Sequence, residues 1–430
     1  MEREAIVETK NRWSKPLAIA VIVMTILVCI VGLGLNQTDI GDGAKTYQDN
    51  RAKAEKQDMF FSLDQIKQMY AVPESENGAS LVTQVLPIIR KNKWDDTKKL
   101  TEQVVRDHWP EFESALGKLE EASGKKYLIF KRDLSNPIMV TYPEYSDLKN
   151  WVKFLSQMAH YASEKGDAKQ AKRYLNVAAY LCVATDDEGT LIGNLVRVAQ
   201  STIVEFELQK IVHAHGKDTA WLDAVETTLK RLDEPYDFKK TLQLEHWFSI
   251  TAVDLVMKDP QSFSNGIGSS SVPNVLRYAK YIPRFKNSNL SRIHEAYATT
   301  VAALPKDRYD FSQTRKAYES MDQFASRQGL SYTLLSLIAP VYSQTSQAMS
   351  KEVAYRNVLF QAVTLLKSGE DPAKGLPLKD RHILDLDGKH LKLKKVKGIW
   401  TVYSIGPDGA DDGGADLLNM KGDWVVHLSK

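Results

Sequence analysis

Five aspartates, Asp408, Asp411, Asp412, Asp416 and Asp423, crowd into one connection near the C-terminus, punctuated by Gly406, Gly409, Gly413 and Gly414. Carboxylates at this density repel one another unless a cation neutralises them. Calcium takes about 6 to 8 oxygens at roughly 2.3 to 2.6 Å, and a glycine-rich loop can turn both carboxylates and backbone carbonyls onto one ion. Ca²⁺ binding with a structural role is therefore the chemistry expected here. As an EF-hand counted from Asp408, the loop would need ligands where Ala410 and Asn419 stand, so that motif is rejected. The competing reading is a solvated acidic loop rich in Asp-Gly turns.

Other fragments spell parts of catalytic motifs and fail. His294-Glu295 opens like a zinc-protease helix, but the second ligand position is Ala298. The Gly266–Val272 stretch lacks a Gly-x-Ser-x-Gly, since Val272 occupies the last glycine position. His213 and His215 diverge on a helix and read as C-terminal capping groups. Asp186, Asp187 and Glu188 read as a helix start, where carboxylates meet free amides. Cys29 and Cys182 make no disulfide framework, and Cys182 reads as a small buried hydrophobe. No catalytic set emerges, so the chain reads as a non-enzyme.

Hydrophobic spacing defines the elements that must carry the acidic loop. A helix over Tyr342–Leu366 precedes strand-like runs at Arg381–Leu386, Lys389–Val396, Ile399–Ile405 and Asp423–Leu428, with turns at Asp387-Gly388 and Lys397-Gly398. Upstream, helical periodicity dominates. Trp151–Ala184 reads as a helical hairpin turning at Gly166-Asp167, with small residues like those of a tetratricopeptide unit. A further helix shows Leu191, Leu195, Val198, Ile203, Phe206 and Ile211, and Gln261–Val272 reads as a long surface loop. The fold class is mainly α: an irregular TPR-like helical array followed by a small α+β module.

Pro16–Leu35 carries no charge and is long enough to span a hydrocarbon core of about 30 Å. Lys10, Arg12 and Lys15 precede it, placing the N-terminus in the cytoplasm and the bulk outside. The expected layout is a cytoplasmic tail (1–15), transmembrane helix (16–35), linker (36–57), helical body (58–341) and C-terminal module (342–430). A formal net charge of +3 predicts no strong attraction to nucleic acid.

The module also carries a resemblance. The helix, Asp371-Pro372, Gly375-x-Pro377-Leu378, Tyr403-Ser-Ile-Gly-x-Asp408-Gly and a late aspartate resemble the C-terminal half of type II secretion major pseudopilins. The whole layout resembles uncharacterised bacterial single-pass proteins that join such an ending to a helical body. The resemblance implies calcium ligation by Asp408, Asp416 and Asp423, with the Ile405 carbonyl as a further donor. Prepilin processing signals are absent, so pilus assembly is not expected. Together these readings imply an inner-membrane, periplasm-facing interaction or scaffold protein with an unidentified envelope partner. The alternatives are an envelope hydrolase with a site in the helical body, or an accessory of a type II secretion or pilus-like system.

Overall fold

The computed structural model describes residues 43–94, 103, 106–135, 139–266, 274–282, 284–339, 342–385, 389–406, 410–414 and 422–428. The apolar run 16–35 lies outside them, and among the described residues no helix is long and apolar enough to cross a membrane. The fold is mainly helical, with a small three-stranded antiparallel sheet near the C-terminus.

The segment read as a linker is largely a helix, α1 (Gly43–Lys56), docked along the body. Its Asn50 is buried and donates from Nδ2 to Ser291 Oγ at 3.1 Å, and Ala54 is fully buried. Helix α2 (Leu63–Met69) starts with a reciprocal capping box between Ser62 and Gln65. Helices α3 (Ala79–Lys91) and α4 (Trp109–Ser123) pack together around Trp94. Trp94 stacks on Phe154 at 4.7 Å between ring centres and meets Phe112 and Trp151 edge-on.

The expected hairpin is present as α5 (Pro143–Glu164) and α6 (Ala168–Ala184). Gly166 adopts φ +73°, which an L side chain resists, and Asp167 then accepts the Gln170 amide at 3.0 Å to start α6. Two helices follow, α7 (Leu191–His215) and α8 (Thr219–Leu232). The expected apolar positions of α7 hold in part, since Leu191 and Ile211 are buried and Val198 and Ile203 pack against the cores. Leu195 is exposed, while Asn194, Arg197, Gln200, Ser201 and Glu205 are buried.

Helices α9 (Phe238–Lys258), α10 (Pro260–Gly266), α11 (Asn274–Arg277), α12 (Phe285–Ala302), α13 (Phe311–Ala325) and α14 (Thr333–Ile338) build the other half of the body. The expected long loop thus begins as a helix, because the Asp259 carboxylate accepts the Ser262 amide and Phe263 is buried. Residues 267–273 lie outside the described set.

Helix α15 (Tyr342–Ser368) is the spine. Its first half, through Val353, belongs to an apolar core shared with α1, α9 and α12; its second half, from Val358, belongs to a core shared with α3 to α8. The second core continues into the C-terminal module through Leu376, Ile383, Val402 and Val426. Strands β1 (Lys392–Val396), β2 (Ile399–Ser404) and β3 (Trp424–His427) pair in that order. The β1–β2 turn at Lys397-Gly398 takes positive φ at both residues (49° and 87°), as the two-residue turn required. The expected strand at Arg381–Leu386 is instead a 3₁₀ turn over Arg381–Ile383 with one bridge, Leu384 to His390. Side chains of α15 claim its backbone: Gln361 donates to the Leu378 and His382 carbonyls, and Asn357 to that of Leu384. The Asp387-Gly388 turn lies outside the described residues.

Deleting Trp94 leaves a void among three rings. Trp94→Ala is expected to cost about 3–5 kcal/mol, measured by chemical denaturation of the full chain in detergent.

Candidate functional site

Charge lies at the seam between the two cores, where α15 passes from one to the other. Arg356 is 1% exposed and pairs through Nη1 with Glu352, one turn back, and with Glu205 of α7 at 3.5 Å. Its Nε lies 3.6 Å from Asp233 Oδ1. Burial, reinforced by the Glu352 charge, pushes the Glu205 carboxyl well above the ordinary carboxylate range. Tyr236 donates to Glu352 at 3.3 Å, and Arg197 stacks over the Tyr236 ring while pairing with Asp186 at 3.2 Å.

Asp233 carries this cluster to the surface. Burial opposes its ionisation, but His382, Arg356 and Arg381 together outweigh burial and hold its pKa below the usual value. Arg381 pairs with Asp233 and stacks 3.7 Å from the Tyr309 ring centre, while Tyr309 donates to the Asp233 carbonyl at 2.8 Å. Outside lies a cavity of about 460 Å³ whose wall includes Asp307, Asp310, Arg381 and Asp385.

The triplet read as a helix start does something else. Thr190 caps α7, accepting the Gly193 amide at 2.9 Å. Asp186 pairs with Arg197, Asp187 accepts the Leu128 amide at 2.6 Å, and Glu188 accepts from Arg132, Tyr145 and the Phe130 amide. These carboxylates therefore bind the extended 128–132 segment to the helices. Burial pushes Asp187 up to about 7.

The histidines also make side-chain contacts, His213 at an exposed position. His215 stacks on Trp221 and hydrogen-bonds Ser163, and His213 accepts the His427 amide at 3.4 Å. His294 meets His246 at 2.9 Å, and burial followed by the Arg51 charge lowers its pKa to about 4. Burial also pushes the Cys182 thiol well above its ordinary value.

The acidic loop hangs from the sheet. Asp385 accepts Ser404 Oγ at 2.5 Å and the Ile405 amide at 3.0 Å, fixing the point where β2 ends. Gly406 then adopts φ +70°, and a Cβ there would collide with the Gly422 carbonyl, so two backbones cross in contact. Asp423 is 3% exposed. Its Oδ2 accepts the Gly414 amide at 2.6 Å, while Oδ1 is buried with no hydrogen-bond partner among the described residues. Burial raises its pKa against the Gly414 and Asp412 amides, and the charges of Asp411 and Asp412 raise it further.

Asp411 is differently placed. Lys392 Nζ lies 2.7 Å from Asp411 Oδ2, and the Gly413 amide donates to Oδ1, so Lys392 first and Gly413 next depress its pKa. Asp412 is exposed. Asp408 and Asp416 lie outside the described residues, and among the described ones no group of three or more His, Cys, Asp or Glu is arranged around a common metal position. Of the described aspartates, Asp423 is the one a cation would suit: among the described residues its Oδ1 has no donor, and a metal there would supply positive charge. Asp411 is already neutralised by Lys392.

The far edge of the sheet is closed by α7. Gln209 donates to the Val425 carbonyl at 2.6 Å and accepts from Tyr355 of α15, while His213 takes the His427 amide. Edge strands left open invite pairing with other chains, and side chains occupy this one. Comparison with family models, curated proteins and solved structures gave no match.

Arg356→Met would strand buried carboxylates and is expected to cost about 3–5 kcal/mol by chemical denaturation. A pH effect isolates Glu245 of α9, whose Oε1 accepts the Leu191 amide at 3.1 Å and whose pKa burial raises to about 7 against that bond. The folded state then binds the extra proton, so this group's contribution to stability falls as pH rises from about 4.5 to about 7. Glu245→Gln keeps the acceptor without the titration. Its melting temperature relative to the unmodified chain is expected to climb between pH 5 and pH 8.

Proposed function

We propose that the chain is a membrane-anchored scaffold whose helical body faces the periplasm and whose C-terminal module closes with a structural calcium ion. Residues 1–15 stay in the cytoplasm and 16–35 span the inner membrane. The TPR-like body and the module then present a continuous surface to an envelope protein. The uncharged run, with Lys10, Arg12 and Lys15 close before it and Lys45 the first basic residue after it, supports the topology.

The observation that carries the calcium assignment is Asp423, with one buried carboxylate oxygen unpartnered among the described residues, just before β3. Asp408, Asp416 and the Ile405 carbonyl complete the proposed ligand set, in keeping with the pseudopilin-like sequence of the module. Asp411 and Asp412 lie beside it, and Asp411 is balanced by Lys392 rather than by the ion. Calcium here pins the connection between β2 and β3 and performs no chemistry.

Extracytoplasmic sites bind with dissociation constants of about 10⁻⁴ to 10⁻³ M. A tenfold excess of calcium therefore adds about 1.4 kcal/mol. The full chain in detergent is expected to melt about 2 °C higher in millimolar calcium than in chelator. Asp423→Asn should abolish the difference; equal melting of the unmodified chain in both conditions removes the calcium assignment. Retention of the chain in membranes washed with alkaline carbonate tests the anchor separately.

A second reading, an envelope hydrolase, is favoured by the cavity beside Asp233, Tyr309, Arg381 and Asp385, where titratable groups converge. Arg381 and Asp233 are committed to each other there, which supports a structural role over a reactive one.

A further inference from the structure

From Pro260 to His294 the sequence holds no Asp or Glu, yet it carries Arg277, Lys280, Arg284, Lys286 and Arg292. Within it, Tyr278 and Tyr281 are 62% and 70% exposed, the most exposed large apolar side chains among the described residues. Lys280 lies over the Tyr281 ring, 5.0 Å from its centre. Arg284 adopts φ +60°, a left-handed conformation that a non-glycine residue takes at a cost, at the point where the chain turns into α12. Of the acidic groups packed nearby, Asp254 pairs with Lys286 at 2.6 Å and Glu295 with Arg292 at 2.8 Å.

Amphipathic tyrosines among cations suit a lipid interface, where the rings sit at headgroup depth and Lys and Arg meet phosphates. The path of the chain brings a membrane within reach. Residues 36–42 separate the apolar run from α1, and seven residues extend at most about 24 Å. Helix α1 runs antiparallel to α12, since Asn50 meets Ser291 and Tyr47 meets His294. The last turn of α1, with Lys53 and Lys56, therefore lies beside the start of α12.

We infer that the Arg277–Lys286 surface rests on the bilayer and binds anionic phospholipid headgroups. This rests on the anchored reading. Helix α1, about 21 Å long, lies along the membrane plane. Its first residue faces the anchor, and its last turn adds two cations to the patch. The anchor and the patch then fix the body at two points, which sets the orientation of its outer face.

The test uses the full chain with Cys29→Ser, Cys182 being buried, reconstituted in phosphatidylcholine vesicles with or without phosphatidylglycerol. An environment-sensitive fluorophore is placed at Tyr281→Cys or, as a control on the β-hairpin, at Ile399→Cys. The label at 281 is expected to shift to the blue and be quenched by brominated lipid, more strongly with phosphatidylglycerol, while the label at 399 stays water-like. Arg277→Gln and Lys280→Gln should each lower the ratio of bound to lifted patch about fivefold. If 281 is water-like in both lipids while carbonate washing leaves the chain in the membrane, the inference falls and the anchor stands. If washing releases the chain but 281 is still quenched at neutral pH, the patch stands without the anchor.

Discussion

Arg356 ties α15 to α7 and to Asp233 where the helix passes from one apolar core to the other. The apolar clusters on either side of it are large, but neither contains the whole of α15. Hydrophobic contact is tolerant of sliding, whereas a guanidinium matches carboxylates in a limited set of directions. By meeting Glu352 on its own helix, Glu205 on α7 and Asp233 after α8, Arg356 sets the rotation and axial position of the spine relative to both halves. The C-terminal module inherits that register because Asn357 and Gln361, just beyond Arg356, bind its backbone.

The same chain of contacts runs on to the acidic loop. Asp233 holds His382 and Arg381; three residues later Asp385 grips the end of β2, from which the loop departs. At its return, β3 lies against Gln209 and His213 of α7. Both ends of the loop are thus tied to the body, and only the crossing between them depends on Asp423. The proposed cation would therefore be a local fastening, while the fold at large rests on the buried ion cluster.

Much of this was legible from spacing. The α5–α6 hairpin announced itself through its apolar faces and Gly166, and the β1–β2 turn through Lys397-Gly398. The polar part of α7's inward face was not legible, because Arg197 and Glu205 look like solvent-facing charges until their partners on the loop before α7 and on α15, some 150 residues away, are known. The strand expected at Arg381–Leu386 failed for a related reason: its backbone is satisfied by helix side chains, which local patterning does not encode. Asp186, Asp187 and Glu188 stood in the right place for a cap but were drawn into long-range pairs, leaving the capping to Thr190. In the acidic loop, sequence grouped Asp411 with Asp423 but did not show that Lys392 of β1 pairs with Asp411.

Helix α1 has a consequence for the order of assembly. It is made early, yet its docking partner Ser291 follows 241 positions later. Closing so distant a contact is costly in chain entropy and slow, so it belongs among the last steps of folding. Until then this short polar helix stays unpaired while the body condenses beyond it. The seating of α1 would then act as a completion signal, drawing the finished body down only once its far half exists.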